Sequence, residues 1–197
     1  MSVQNKVKLQ CPTFGFGGVL SPLRATNGVV FPYSPTVQIG QSASYGTYDT
    51  THSVYQQNYF INTPNPTYSV TGTFTAQTQE DAKYTAAALH FFRSCLKPEF
   101  GGNSYATAGV PPAICKFSAY GAIHAKNVPV IVRSFSYTLT EDSEFVNVSM
   151  PVVGSTDVPS VVLVTLDLVA QYPPNKVRDE FNLSAFKSGA GLNKGFG

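Results

Sequence analysis

Three cysteines and three histidines carry most of the reactive side-chain chemistry available to this 197-residue chain. Cys11, Cys95 and Cys115 form no C-x-x-C pair, and an odd number does not complete a disulfide framework, so they read as reduced thiols of a cytosolic protein. His52, His90 and His124 each lack a second ligand type at metal-binding spacing. His90 and Cys95 are five positions apart in a helical stretch and so point to different sides, which makes a thiolate–imidazole pair a poor reading and core packing the better one for Cys95. The acidic trio Glu141, Asp142 and Glu144, beside Thr138 to Thr140, has the chemistry to hold a cation or a proton, but it reads better as a solvated turn. Gly15-Phe16-Gly17-Gly18 opens no helix able to seat a phosphate, no G-x-x-x-x-G-K-[ST] is present, and a flexible arm is the expectation there. No catalytic residue, metal ligand or cofactor is assigned.

The aromatic residues are more informative. Tyr45, Tyr48, Tyr55 and Tyr59 recur in one strand-like stretch and could stack on sugars or on single-stranded nucleic acid. With no basic residues beside them, burial against a neighbouring chain is the stronger reading. Together with Val161, Leu163, Phe181 and Phe186 they are the candidate subunit-interface residues. Two sequons, at Asn147 and Asn182, are short patterns that recur by chance and carry no weight without a signal peptide.

Composition points the same way. Charged residues are 12% of the chain, about half the usual fraction, against 43% hydrophobic residues, with 14 Phe, 11 Tyr, 16 Gly and 14 Pro. Such a surface suits permanent burial among subunits. The net charge of +2 is dispersed, with no basic run that would mark a nucleic-acid arm or a membrane patch. The first ten residues show no apolar h-region, and no run of about 18 apolar residues occurs, so neither export nor membrane spanning is expected.

The elements that position these residues read as mainly β: antiparallel sheets in a sandwich or barrel-like arrangement, flanked by one α-helix at about 78–97. Thr67 to Gln77 alternates Tyr68, Val70, Phe74 and Ala76 with threonines and serine, the pattern of a half-buried strand. Gly72 falls on its apolar side, where a missing side chain admits a neighbouring ring or a bend. The helix starts at a Thr78 cap with Asp81 three residues on, is expected to bury Thr85, Ala88, Leu89, Phe92, Cys95 and Leu96, and is stopped by Pro98 and Gly101-Gly102. A polar loop to Pro112 precedes further strands, the last over Pro159 to Gln171. That strand is apolar on both sides and needs cover on both, from another layer of the fold or from a neighbouring subunit. The organisation expected is an N-terminal arm over 1–28, a β domain over 29–172 and a C-terminal arm over 173–197, whose scattered Phe and Leu residues argue that it docks somewhere.

This order of elements, over roughly residues 28–170, resembles the tail-tube and baseplate tube-initiator proteins of contractile-tailed bacteriophages. The stretches that carry the likeness are Val30-Phe31-Pro32-Tyr33 leading to Ile39, the hairpin from Tyr55-Gln56-Gln57 to Phe74, Ala88-Leu89-His90-Phe91-Phe92-Arg93-Ser94, and Pro111-Pro112-Ala113-Ile114-Cys115 followed by Val128-Pro129-Val130. The resemblance implies a non-enzymatic virion protein, assembled in the host cytoplasm. Its copies join their sheets into a hexameric ring, contact other tail-tube or baseplate proteins, and let DNA pass through a lumen without specific binding. A membrane plays no part. The long Gly-rich tail departs from the pattern and leaves repeated tube subunit and initiator ring both open. A glycan-binding β-sandwich using the tyrosine hairpin is the alternative reading.

Overall fold

The computed structural model describes residues 6–49, 51–100, 109–141 and 143–196. Asp142 of the acidic trio, residues 101–108 of the expected polar loop, residues 1–5 and Gly197 lie outside that description. In chain order the elements are β1 (Lys8–Gln10), a 3-10 turn (Gly18–Leu23), β2 (Gly28–Val30), β3 (Thr36–Gly40), β4 (Ser44–Tyr48), β5 (Gln57–Asn62), β6 (Thr67–Thr75), α1 (Gln79–Ser94), β7 (Cys115–Ala119), β8 (Ala125–Leu139), β9 (Phe145–Met150), β10 (Gly154–Pro159), β11 (Val161–Ala170), α2 (Pro174–Glu180), α3 (Leu183–Lys187) and a last 3-10 turn (Ala190–Lys194).

The chain is mainly β. Seven strands form one antiparallel sheet in the order β2-β1-β7-β8-β11-β6-β3, and β9–β10 and β4–β5 form separate two-stranded ribbons. The two edge strands, β2 and β3, are consecutive in the chain and only residues 31–35 join them. A flat sheet would hold its edges about 29 Å apart, but the link from Val30 to Thr36 reaches at most about 21 Å, so the sheet is rolled. Ring contacts show the same curl: Tyr68 of β6 lies 5.3 Å from Phe117 of β7, although β8 and β11 separate those strands in the sheet. The link itself enters the core, with Phe31 packed 5.3 Å from Phe74. Because β2 and β3 do not pair, the roll stays open, and the barrel-like expectation resolves to an unclosed sheet.

Period-2 patterning dictates which side faces in. Tyr68, Val70 and Phe74 of β6 are buried, as are Val162, Val164, Leu166 and Leu168 of β11. Gly72 admits a ring, as its place on the apolar side predicts: a Cβ there would lie 2.8 Å from Phe31 Cδ1 and 2.9 Å from Pro35 Cβ.

The helix α1 plugs the roll. Thr78 and Asp81 close a capping box, Asp81 N–H donating to Thr78 Oγ1 at 3.2 Å and Thr78 N–H donating to Asp81 Oδ2 at 3.2 Å. The helix ends at Ser94 with Cys95 as its cap, short of the expected Lys97, and continues as tight turns from Leu96 to Arg93 and Lys97 to Ser94. Pro98 disfavours helical backbone at the residue before it. The buried side is also wider than the spacing suggests, because Phe91 is enclosed by Phe14 and Phe16 at ring separations of 5.5 and 6.3 Å. The other end of α1 packs Ala82 against Val148, Met150 and Val158 of the β9–β10 ribbon.

Both expected arms fold onto the body. In the first 28 residues, β1 pairs with β2 and β7, and Val7, Leu9, Cys11 and Leu23 join the core. Residues 15–18, expected as flexible, carry Phe16 onto Phe91 and lead into the 3-10 turn. After Tyr172 the chain forms α2, α3 and the last turn, closing an aromatic cluster. Phe196, only 5% exposed, lies 5.3 Å from Tyr172 and 5.4 Å from Phe181, with Lys176 Nζ over its ring. Lys126 Nζ donates to Asn193 Oδ1 at 3.0 Å and ties this cluster to β8.

Candidate assembly surface

The strands β3 and β6 pair from Thr36↔Thr71 to Gly40↔Thr67, and β4 and β5 resume the same hairpin from Ser44↔Asn62 to Tyr48↔Gln57. The break between the two halves holds Pro64 and Pro66, whose missing N–H groups interrupt the ladder. Beyond the break the ribbon leaves the sheet, and among the described residues its strands pair only with each other.

Every large apolar side chain on this ribbon and its turn is exposed: Tyr45, Tyr48, Val54, Tyr55, Tyr59, Phe60 and Ile61 range from 54% to 87%. Tyr45 and Phe60 are cross-strand partners with rings in an edge contact at 5.8 Å. Tyr59 lies over Gly46 directly opposite on the other face, so close that a Cβ at Gly46 would sit 2.5 Å from its Cζ. Strand alternation puts Tyr45 on one face and Tyr48 and Tyr59 on the other, while Tyr55 sits in the turn segment. The four tyrosines therefore do not share one stacking platform. What they make is a two-sided aromatic blade, and a lone two-stranded ribbon is marginal in water.

The outer face of the rolled sheet is the second open surface. On β11, Val161, Thr165, Asp167 and Val169 are half-buried and Leu163 is 39% exposed. Around them lie Thr67, Ser69, Thr71, Thr73 and Thr75 of β6 and Ser134, Ser136 and Thr138 of β8. This face is a carpet of hydroxyls in which Thr71 and Thr165 approach to 3.5 Å and Ser134 donates to Asp167 Oδ2 at 2.6 Å. The Ser134 hydrogen bond first, then that of Ser69, holds the Asp167 carboxyl below the usual carboxylate range. A bulge at Asp167/Leu168 places Arg133 beside it, and these residues with Gln38 and Gly40 line a groove of about 460 Å³. Of the interface candidates, Val161 and Leu163 thus lie on an open sheet face, and Phe181 is 44% exposed at the rim of the C-terminal cluster. Phe186 is half-buried against Phe181 at 5.9 Å.

Among the described residues, the histidines and acidic side chains singled out in the sequence do not converge on one place. His52, His90 and His124 are exposed, at the ribbon turn, on α1 and in the β7–β8 turn. His90 faces solvent while Cys95 is buried, in line with their spacing. Glu141 and Glu144 are exposed. Among the described residues no group of three or more His, Cys, Asp or Glu is arranged to hold a metal ion, and no helix is long and apolar enough to cross a membrane. Both sequon asparagines have structural partners: Asn147 Nδ2 donates to Asp157 at 2.7 Å, and Asn182 Oδ1 accepts from Ser184 N–H at 2.8 Å as the cap of α3.

No protein-family model and no curated protein matches this chain. The functional reading therefore rests on the surfaces themselves. Residue spacing shows the ribbon strands and their aromatic content. That they stand clear of the sheet follows from Pro64 and Pro66, a signal present in the sequence.

Proposed function

We propose that this chain is a virion structural protein: a subunit of a hexameric ring in a contractile phage tail, as repeated tube subunit or as the initiator ring at the baseplate. The observation that carries the reading is the β4–β5 ribbon, an aromatic blade exposed on both faces with no cover from the described residues of its own chain. Burial against the next copy supplies that cover, and a head-to-tail contact of this kind closes into a ring. The unpaired edge β3 and the open face of β6, β8 and β11 support the same reading, since joined sheets would leave that face lining a bore. Its hydroxyl carpet, with Asp167 and Arg133 close together, offers DNA phosphates few fixed cations to bind, which suits passage. The protein works by shape and stacking, with other tube or baseplate proteins above and below, and without catalysis.

The ribbon is the part to test. A Tyr45→Ser/Phe60→Ser double variant is expected to keep the wild-type circular dichroism and Tm but to sediment as a monomer where the wild type forms rings. Retained ring assembly would overturn the role given to the blade. A glycan array is expected to show no saturable binding; binding lost in Tyr48→Ala and Tyr55→Ala would favour a sugar-binding module instead.

A further inference from the structure

All three cysteines of the chain, distant in sequence, meet in one region of the core. Cys95 caps the C-terminal end of α1, Cys115 opens β7, and Cys11 follows β1. The Cys95 and Cys115 sulfurs are 3.7 Å apart. Cys11 also neighbours Cys115, carried there by the β1–β7 register in which Gln10 pairs with Lys116, and its thiol is 3.3 Å from Thr13 Oγ1. Cys115 is thus the thiol that neighbours both of the others.

We propose that Cys95 and Cys115 are a covalent modification site, an oxidisable dithiol whose disulfide staples the end of α1 to β7. A bonded pair requires the sulfurs to close to about 2.05 Å, a small movement at a helix end that already loosens into turns. The oxidant is a peroxide. One thiolate sulfur attacks a peroxide oxygen and the O–O bond breaks, giving a sulfenic acid and one water. The second sulfur then attacks the sulfenic sulfur, the S–O bond breaks, the S–S bond forms and a second water leaves. The two thiols lose two electrons and two protons, and the peroxide is reduced to water.

The location gives the bond a consequence. Between Cys95 and Cys115 the described backbone is tied by the isolated bridge Glu99↔Val110, outside any regular strand or helix. A staple closes this segment into a loop and limits how far it opens in the unfolded chain. Cys11 and Cys115 both have thiols held well above the usual range, Cys11 by its hydrogen bond to Cys115 and then by burial. At Cys115 the lowering by Cys11 is outweighed by Cys95 and burial. They are therefore poor nucleophiles while the core is closed, and the staple forms on slow exposure to oxidant.

The test is to treat the folded wild type with hydrogen peroxide, alkylate under denaturing conditions, and read the thiol count and peptide map. The expected result is one alkylatable thiol, a linked peptide joining Cys95 to Cys115, and a Tm raised by several degrees that returns to the reduced value with dithiothreitol. Cys11→Ala is expected to keep the link and Cys95→Ala to lose it. Three free thiols after treatment, a Cys11–Cys115 link, or only sulfinic and sulfonic products would each overturn the proposal.

Discussion

Gly72 and Tyr84 do more for the roll than their side chains suggest. Gly72 leaves the space into which Phe31 turns, so Gly72→Ala, with its Cβ 2.8 Å from that ring, is expected to cost about 1–3 kcal/mol by overpacking. Urea unfolding would measure it, and an unchanged midpoint would mean that Phe31 has room to retreat. Tyr84 closes an edge: its hydroxyl accepts from Val30 N–H at 2.8 Å and donates to Val30 C=O at 2.9 Å, satisfying the unpaired side of β2. Tyr84→Phe removes both bonds and is expected to lower stability by about 1–3 kcal/mol, again read by urea unfolding. Asp167 sets a pH dependence. Its folded pKa lies below its unfolded one, so its contribution is in place above the ordinary carboxylate range and is lost as pH falls through the folded value. Asp167→Asn is accordingly expected to narrow the stability gap between about pH 7 and about pH 3 by a small amount, because solvent reaches this half-buried carboxyl and screens it.

At the scale of elements, the start of α1 is set by its capping box, and Thr78→Ala is expected to lower stability by about 1 kcal/mol, with thermal unfolding as the readout. This helix start, the alternation of β6 and the buried inner side of β11 were legible in the sequence because each has a local cause, a cap or a period, whereas the cover expected on the other side of β11 is not supplied by the described residues. That the C-terminal arm docks was legible from its scattered Phe and Leu residues, but where it docks, and that β1 of the N-terminal stretch joins the sheet, was not. Val7-Lys8-Leu9-Gln10-Cys11 does alternate, but β1 is only three residues long, too short to stand out from the Gly-rich stretch that follows. The C-terminal cluster depends on Phe196 meeting Tyr172 and Phe181, contacts that no local period announces. The convergence of three thiols is likewise a product of topology, since β1 and α1 both end at the start of β7.

For the whole molecule, the free-standing ribbon, the unpaired β3 edge and the open outer face of the sheet are three surfaces that the described residues of one copy leave uncovered. In the ring we propose, neighbouring copies would cover the ribbon and the edge, and the open face would turn toward a bore. Native mass measurement of the purified protein under tube-assembly conditions, with electron microscopy of the same sample, tests this most directly. A mass of six chains, and rings of six-fold symmetry with an open centre, are expected. A stable monomer that enters no ring at any concentration tried would contradict it.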